Sequence, residues 1–131
     1  MSLNREGFNM KIKVLHQDFS VCKVADYTQT DMNKEFVFTG NTDEENSLVC
    51  PTEAVPQNTT DRDDGWRGMR IEGTLDFSLI GILAKISAIL ADNKIGIFVV
   101  STYNTDYVLT KAENFEKAVT LLKENGYEIT E

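Results

Sequence analysis

The chain has 131 residues, 41% of them apolar, with 13 Lys and Arg against 21 Asp and Glu, a net charge of −8 and a pI near 4.6. That length holds one ordinary domain or two very small ones, with apolar side chains enough for a real core. The acidity excludes nucleic acid as a natural partner, because such binding rests on clustered Lys and Arg releasing counterions. No apolar run approaches the roughly 20 residues that span a bilayer, so no membrane partner is expected.

Residues 1–9 carry no periodicity and show no cationic-then-apolar leader, so a cytoplasmic protein is the expectation. Two short β-type runs, 11–15 and 20–25, flank His16-Gln17-Asp18. His16 is the single histidine, and no serine or cysteine is visibly paired with it; a surface hydrogen-bonding role is the plainer reading. Cys22 and Cys50 lie in the apolar runs SVCKV and SLVCP, too far apart in sequence for a redox motif. They read as buried free thiols.

Residues 27–34 are polar and irregular. EFVFT (35–39) and SLVC (47–50) predict two strands joined by the turn-rich GNTDEEN, and Pro51 closes the second before a helical turn over 52–55. Residues 57–65 look like a linker. The TDRDDG within them is not a calcium loop: with Gly65 as the required sixth residue, positions one, three and five fall on Thr60, Arg62 and Asp64, and twelve falls on Ile71. No metal ligand set is expected, and the sequon Asn58-Thr59-Thr60 reads as chance without a secretion signal.

Residues 66–75 return to alternation, with Met69, Ile71, Gly73 and Leu75 on one side and Arg70, Glu72 and Thr74 on the other. The organising stretch is 74–111. Within it Leu79, Leu83, Ile86 and Leu90, joined by Ile82 and Ile89, recur at helical spacing. Asp76 or Ser78 is placed to cap the helix, predicting a start near Phe77, and Asn93 and Lys94 suit its end. Residues 95–102 are apolar in both alternating sets and predict a strand covered on both faces. Tyr103-Asn104-Thr105-Asp106 supplies a turn, and 107–110 runs back as a strand. A second helix from Asn114 carries the stripe Phe115, Ala118, Val119 and Leu122 and ends at Gly126, and YEIT (127–130) is a last strand.

The second half therefore reads strand, helix, strand, strand, helix, strand, the split-βαβ order in which an antiparallel sheet buries one face under two helices. The first half has strands but only stubs of helix. The expected fold is α+β, two ferredoxin-like (βαββαβ) modules with antiparallel sheets: a reduced one over 10–64 and a full one over 65–131.

The blocks EGTLDFS (72–78), GIL (81–83), IGIF (95–98) and above all STYNTDYVL (101–109) resemble the tandem ACT-domain proteins, with TDEENSLVCP and GWR in the first half extending the likeness over most of the chain. Such proteins are similar to the regulatory domains of aspartate kinases and to the animal cytosolic arginine sensor. The resemblance implies sensing of an amino acid between ACT modules, without catalysis and without a cofactor. An amino acid brings a carboxylate and an ammonium. Free N–H groups of Phe77, Ser78, Leu79 and Ile80 at a helix start suit the first, with Asp76 beside them and Gly81 allowing close approach. The resemblance carries over Thr102, Tyr103 and Asp106 as ligand contacts, Asp106 pairing an ammonium or guanidinium group. Each has a plainer reading: Asp76 as a helix cap, Gly81 as a packing residue, Asp106 as a turn former.

Three classes of function follow. An amino-acid-binding regulatory module comes first; a structural protein that pairs its sheets into a homodimer and binds nothing small is the alternative. An enzyme is the weakest, since no nucleophile and base pair, metal-ligand cluster or phosphate loop of the G-x-x-x-x-G-K type is present in the sequence. A sensor without an effector domain needs a separate effector protein, and small modules of this kind expose sheet edges that favour homo-oligomers.

Overall fold

The computed structural model describes residues 10–73 and 81–131. Their contacts divide the chain into two compact units, Met1–His16 with Arg67–Glu131, and Gln17–Trp66. Strands β1 (Met10–Val24) and β4 (Thr59–Gly73) contribute to both. Among the described residues no helix is long and apolar enough to cross a membrane.

The first unit adds helix α1 (Ile82–Asp92), strands β5 (Phe98–Ser101) and β6 (Asp106–Lys111), helix α2 (Ala112–Glu124) and strand β7 (Glu128–Thr130). Its strands lie in the order β7-β1-β4-β6-β5. It is a mixed α/β arrangement: β5 and β6 are antiparallel, whereas β7 runs parallel to β1 in the register Lys11↔Glu128, Ile12↔Ile129, Lys13↔Thr130. The core gathers Ile12, Met69, Ile86, Leu90, Val108, Ala118 and Leu122, all without solvent exposure. Ile82, Ile86 and Leu90 recur every four residues on α1, and Phe115, Ala118 and Leu122 at three and four on α2, so each helix buries one stripe.

Both helices stop by the same device. In α2 the Gly126 N–H donates to the Lys123 carbonyl and the Tyr127 N–H to the Leu122 carbonyl, each at 3.1 Å, around Gly126 at φ +95°. This is the Schellman closure, which satisfies carbonyls left free by the helix end. Helix α1 repeats it through Lys94 (φ +62°), with the Ile95 N–H reaching the Leu90 carbonyl at 2.9 Å.

The second unit has strand order β2-β3-β1-β4, with β2 (Phe38–Asn41), β3 (Asn46–Pro51) and a single 3₁₀ turn at Thr52–Ala54. Cys22, Val24, Leu48 and Cys50 form its small core, flanked by Tyr27, Val37, Ala54 and Val55. The Tyr27 hydroxyl donates to the Ser47 carbonyl at 2.8 Å, so the irregular stretch after β1 is pinned back onto β3.

Several of these expectations change. The two runs expected over 11–15 and 20–25 are one strand, β1, because backbone pairing on either side carries the chain straight through His16-Gln17-Asp18. The stretch 57–65 is strand from Thr59, not linker: its charged side chains are exposed and hide the alternation, and Gly65 at φ +85° supplies a backbone conformation that other residues avoid. The segment 95–102 is strand only from Phe98, and Phe98, Val99 and Val100 are half-buried rather than covered on both faces, because β5 ends the strand order. Finally, β7 takes its place beside β1 and parallel to it, where a wholly antiparallel sheet was expected. Residues 10–16, placed by the sequence in the N-terminal module, group with 67–131.

Candidate functional site

The site read from the sequence rests on the helix start before residue 82 and on the β5–β6 hairpin, both in the first unit. Asp76, Phe77, Ser78, Leu79 and Ile80, and with them the expected start near Phe77, lie outside the described residues. The described helix begins at Ile82, behind Gly81, an exposed residue at φ +84° that caps it without a side chain. That φ explains the glycine: a side chain there would strain the backbone, although nothing stands within 4 Å of where its Cβ would be. The Gly81 carbonyl accepts the first helical bond from Lys85 N–H at 3.0 Å.

The hairpin is in the register Ser101↔Asp106, Val100↔Tyr107, Val99↔Val108 and Phe98↔Leu109. Thr102 closes its loop. The Thr102 N–H and hydroxyl both donate to the Thr105 carbonyl at 2.9 Å, and the Thr105 N–H donates back to the Thr102 hydroxyl at 3.4 Å. The Thr105 hydroxyl in turn donates to the Ile71 carbonyl, tying the hairpin to β4. Thr102 thus serves the turn first, and any ligand contact shares its hydroxyl. Tyr103 is wholly exposed at the tip.

Asp106 is different. It is half-buried, and its side chain makes no hydrogen bond or ion pair with any described residue. Strand alternation puts it on the face of β6 that carries Val108, a wholly buried member of the helix-covered core. The structure brings Thr102, Tyr103 and Asp106 into one hairpin but does not gather Gly81 with them in any described contact.

On the other face of the strands stands a cluster that sequence reasoning missed. Arg70 Nη2 lies 2.7 Å from Glu72 Oε2, its Nε donates to the same oxygen at 2.9 Å, and its guanidinium carbon lies 6.0 Å from the centre of the Tyr107 ring. Hydrogen bonding to Tyr107, then to Glu72, holds the Arg70 guanidinium above its ordinary pKa. These three groups satisfy one another, which is structural work. Part of the signal was available, since Arg70 and Glu72 alternate on one side of β4, whereas the register Val100↔Tyr107 that sets the face of Tyr107 comes from the structure.

Other candidates resolve plainly. His16 Nε2 lies 3.5 Å from Glu131 Oε1, both well exposed. Cys22 and Cys50 are free and buried; burial pushes the Cys22 thiol up and the Cys50 thiol up to about 11. Among the described residues no group of three His, Cys, Asp or Glu is placed to hold a metal ion.

The family model for the ACT domain matches residues 61–124. No curated protein sequence matches the chain. Among solved structures, an Agobacterium tumefaciens protein is 31% identical, with a TM-score of 0.81 and 92% of each chain covered. A Vibrio cholerae protein of unknown function, described as a possible transport protein, is 20% identical over 88% of this chain and 89% of its own, with a TM-score of 0.73. A domain assigned as the C-terminal regulatory domain of an aspartate kinase from Porphyromonas gingivalis is 18% identical over 89% of this chain and 95% of its own, with a TM-score of 0.54. At such identities the last two show the fold alone. Residues 61–124 thus match the ACT domain, a family of small-ligand regulatory modules, and the chain's fold is similar to that of the regulatory domain of an aspartate kinase.

Proposed function

We propose that this protein is an amino-acid sensor: a regulatory module with no catalysis of its own, built from two ACT modules of which the first is reduced, that binds an amino acid at the β5–β6 hairpin and passes the signal to a separate effector protein. The observation that carries the reading is Asp106, a half-buried carboxylate on the helix-covered face whose side chain makes no hydrogen bond or ion pair with any described residue. A carboxylate in such a place is stabilised by a cation that arrives with a ligand, and the ammonium or guanidinium group of an amino acid is one. The ACT-domain match over residues 61–124 supports the ligand class, since ACT domains regulate through small ligands, generally amino acids.

The test is a thermal-shift screen of the full chain against the twenty amino acids. A ligand that binds only the folded state at about 100 times its dissociation constant adds roughly 2.7 kcal/mol. The expected result is a rise in melting temperature confined to one or two chemically related amino acids and abolished in Asp106→Ala. That variant should keep its ligand-free melting temperature within a few degrees; a large loss would make Asp106 a turn residue.

One observation favours a second reading, an interaction protein that dimerises and binds nothing small. β5 ends the strand order, and its sequence FVVS presents half-buried apolar side chains without the charges or proline that usually blunt an edge. A screen without any shift, together with a dimer in sedimentation that Val99→Lys dissociates, would favour it.

A further inference from the structure

Arg67 stands in the same alternation as Met69 and Ile71, and therefore on the face of β4 that carries the core of its unit. Its guanidinium lies over the Phe115 ring, 4.6 Å from the centroid, and Nη2 donates to the Leu15 carbonyl at 3.1 Å. Its Nε is buried and finds no acceptor. No carboxylate of a described residue comes within ion-pairing distance, although the chain has 21; Glu113 and Glu116, on the same helix as Phe115, are exposed.

An arginine held this way is costly. Buried charges are normally paired and buried N–H groups normally bonded, and here one guanidinium lacks both a counter-ion and one hydrogen bond. A methionine or leucine would cover Phe115 without either cost. What the guanidinium adds is a permanent positive charge in a plane fixed by the ring below it and by the Leu15 carbonyl at one corner. Arg67 as a whole is half-buried, so the residue is not closed off from solvent. A fixed, planar, unpaired cation suits one class of ligand atoms, the paired oxygens of an oxyanion.

We propose that Arg67 anchors an oxyanion-binding site on the first unit, taking the carboxylate or phosphate group of a small ligand. It is separate from the hairpin site: Thr105 is tied to β4 at Ile71, four residues and about 13 Å of strand beyond Arg67. The inference therefore holds whether or not Asp106 binds an amino acid.

The experiment follows the arginine Nε–H signals of the ¹⁵N-labelled full chain during titration with inorganic phosphate and, separately, with acetate, at an ionic strength held constant with sodium chloride. One Nε–H signal should move saturably and be missing from Arg67→Met. Saturation by phosphate at lower concentration than acetate assigns a phosphate group; the reverse order assigns a carboxylate. A shift that grows linearly with either anion, or one that persists in Arg67→Met, overturns the proposal and leaves Arg67 as a lid over Phe115. Should Arg67→Met fail to fold, Arg67→Lys carries the test. Phosphate strengthens apolar burial in any protein, so the informative quantity is the rise in melting temperature beyond that of the variant. A larger rise in the wild type is expected, and equal rises overturn the site.

Discussion

Two buried thiols and one exposed carboxylate show how position sets chemistry at the scale of single residues. Cys50 has its pKa pushed to about 11 by desolvation, with the neighbouring Cys22 adding to the rise. A raised folded pKa means that this contribution to stability is complete below the ordinary value of 9.0 and is lost as pH rises from there through about 11. At pH 8 the native protein should therefore resist iodoacetamide at Cys50 while the urea-unfolded chain is alkylated, which mass spectrometry reads directly; rapid labelling of the native state would contradict the burial. Asp26 goes the other way. Its carboxylate accepts the Thr28 hydroxyl at 2.6 Å, the Thr28 N–H at 3.0 Å and the Asn58 amide at 3.0 Å, and the Thr28 bonds hold its pKa below 3.8. Its contribution is present above 3.8 and is lost as pH falls through the lower folded value. Urea denaturation should show Asp26→Ala less stable than wild type at pH 6, with the gap closing as the pH drops to about 2. A gap independent of pH would assign the loss to packing instead.

The helices and the hairpin are held by different means. Each helix depends on one stripe: Leu122 of α2 has no exposed surface and lies at the centre of the first core, and its carbonyl also accepts the Tyr127 N–H that closes the helix. Leu122→Ala should cost about 2–5 kcal/mol in chemical denaturation, because the cavity left by a buried leucine adds to the lost transfer energy. The hairpin loop is tied to β4 by a side chain, Thr105. Thr105→Val keeps the β-branched shape but removes the hydroxyl that reaches the Ile71 carbonyl, leaving that carbonyl without this donor. A loss of about 1–3 kcal/mol is expected, with faster amide exchange at residues 101–106 than elsewhere in β6. Uniform exchange would show that the β5–β6 pairing alone fixes the loop.

At the scale of the whole molecule, chain order and spatial grouping diverge. A fragment of residues 65–131 has the strand, helix, strand, strand, helix, strand order of a complete module. It lacks Met10, Ile12 and Val14, three buried members of the core that packs under its helices, and it lacks β1, against which β7 pairs. Full burial of each such side chain is worth about 1.5–3 kcal/mol, a sum comparable with the 5–15 kcal/mol that stabilises a typical domain. The fragment should therefore have no cooperative thermal transition by circular dichroism, and one that starts at residue 10 should recover it. A cooperative transition in the short fragment would show that β7 finds another partner.

Much of this protein was determined by its sequence alone. The stripes of α1 and α2, the stop at Gly126 and a turn at 103–106, which Thr102 and Thr105 close in the structure, were legible because they depend on neighbours three or four positions away, where periodicity and turn chemistry act. The STYNTDYVL block likewise pointed to the ACT family without any contact being known. Tertiary structure alone decided what depends on strands distant in sequence. It made Thr59–Gly65 a strand, because pairing can satisfy backbone groups whatever the side chains say. It set β7 beside β1 in parallel, since partner choice between strands leaves no periodic trace. It also separated Arg70, paired with Glu72 and packed by Tyr107, from Arg67, which lies over Phe115 and is paired with no carboxylate of a described residue. The two arginines are alike and three residues apart; their opposite faces on β4 and the elements packed there give them different chemistry.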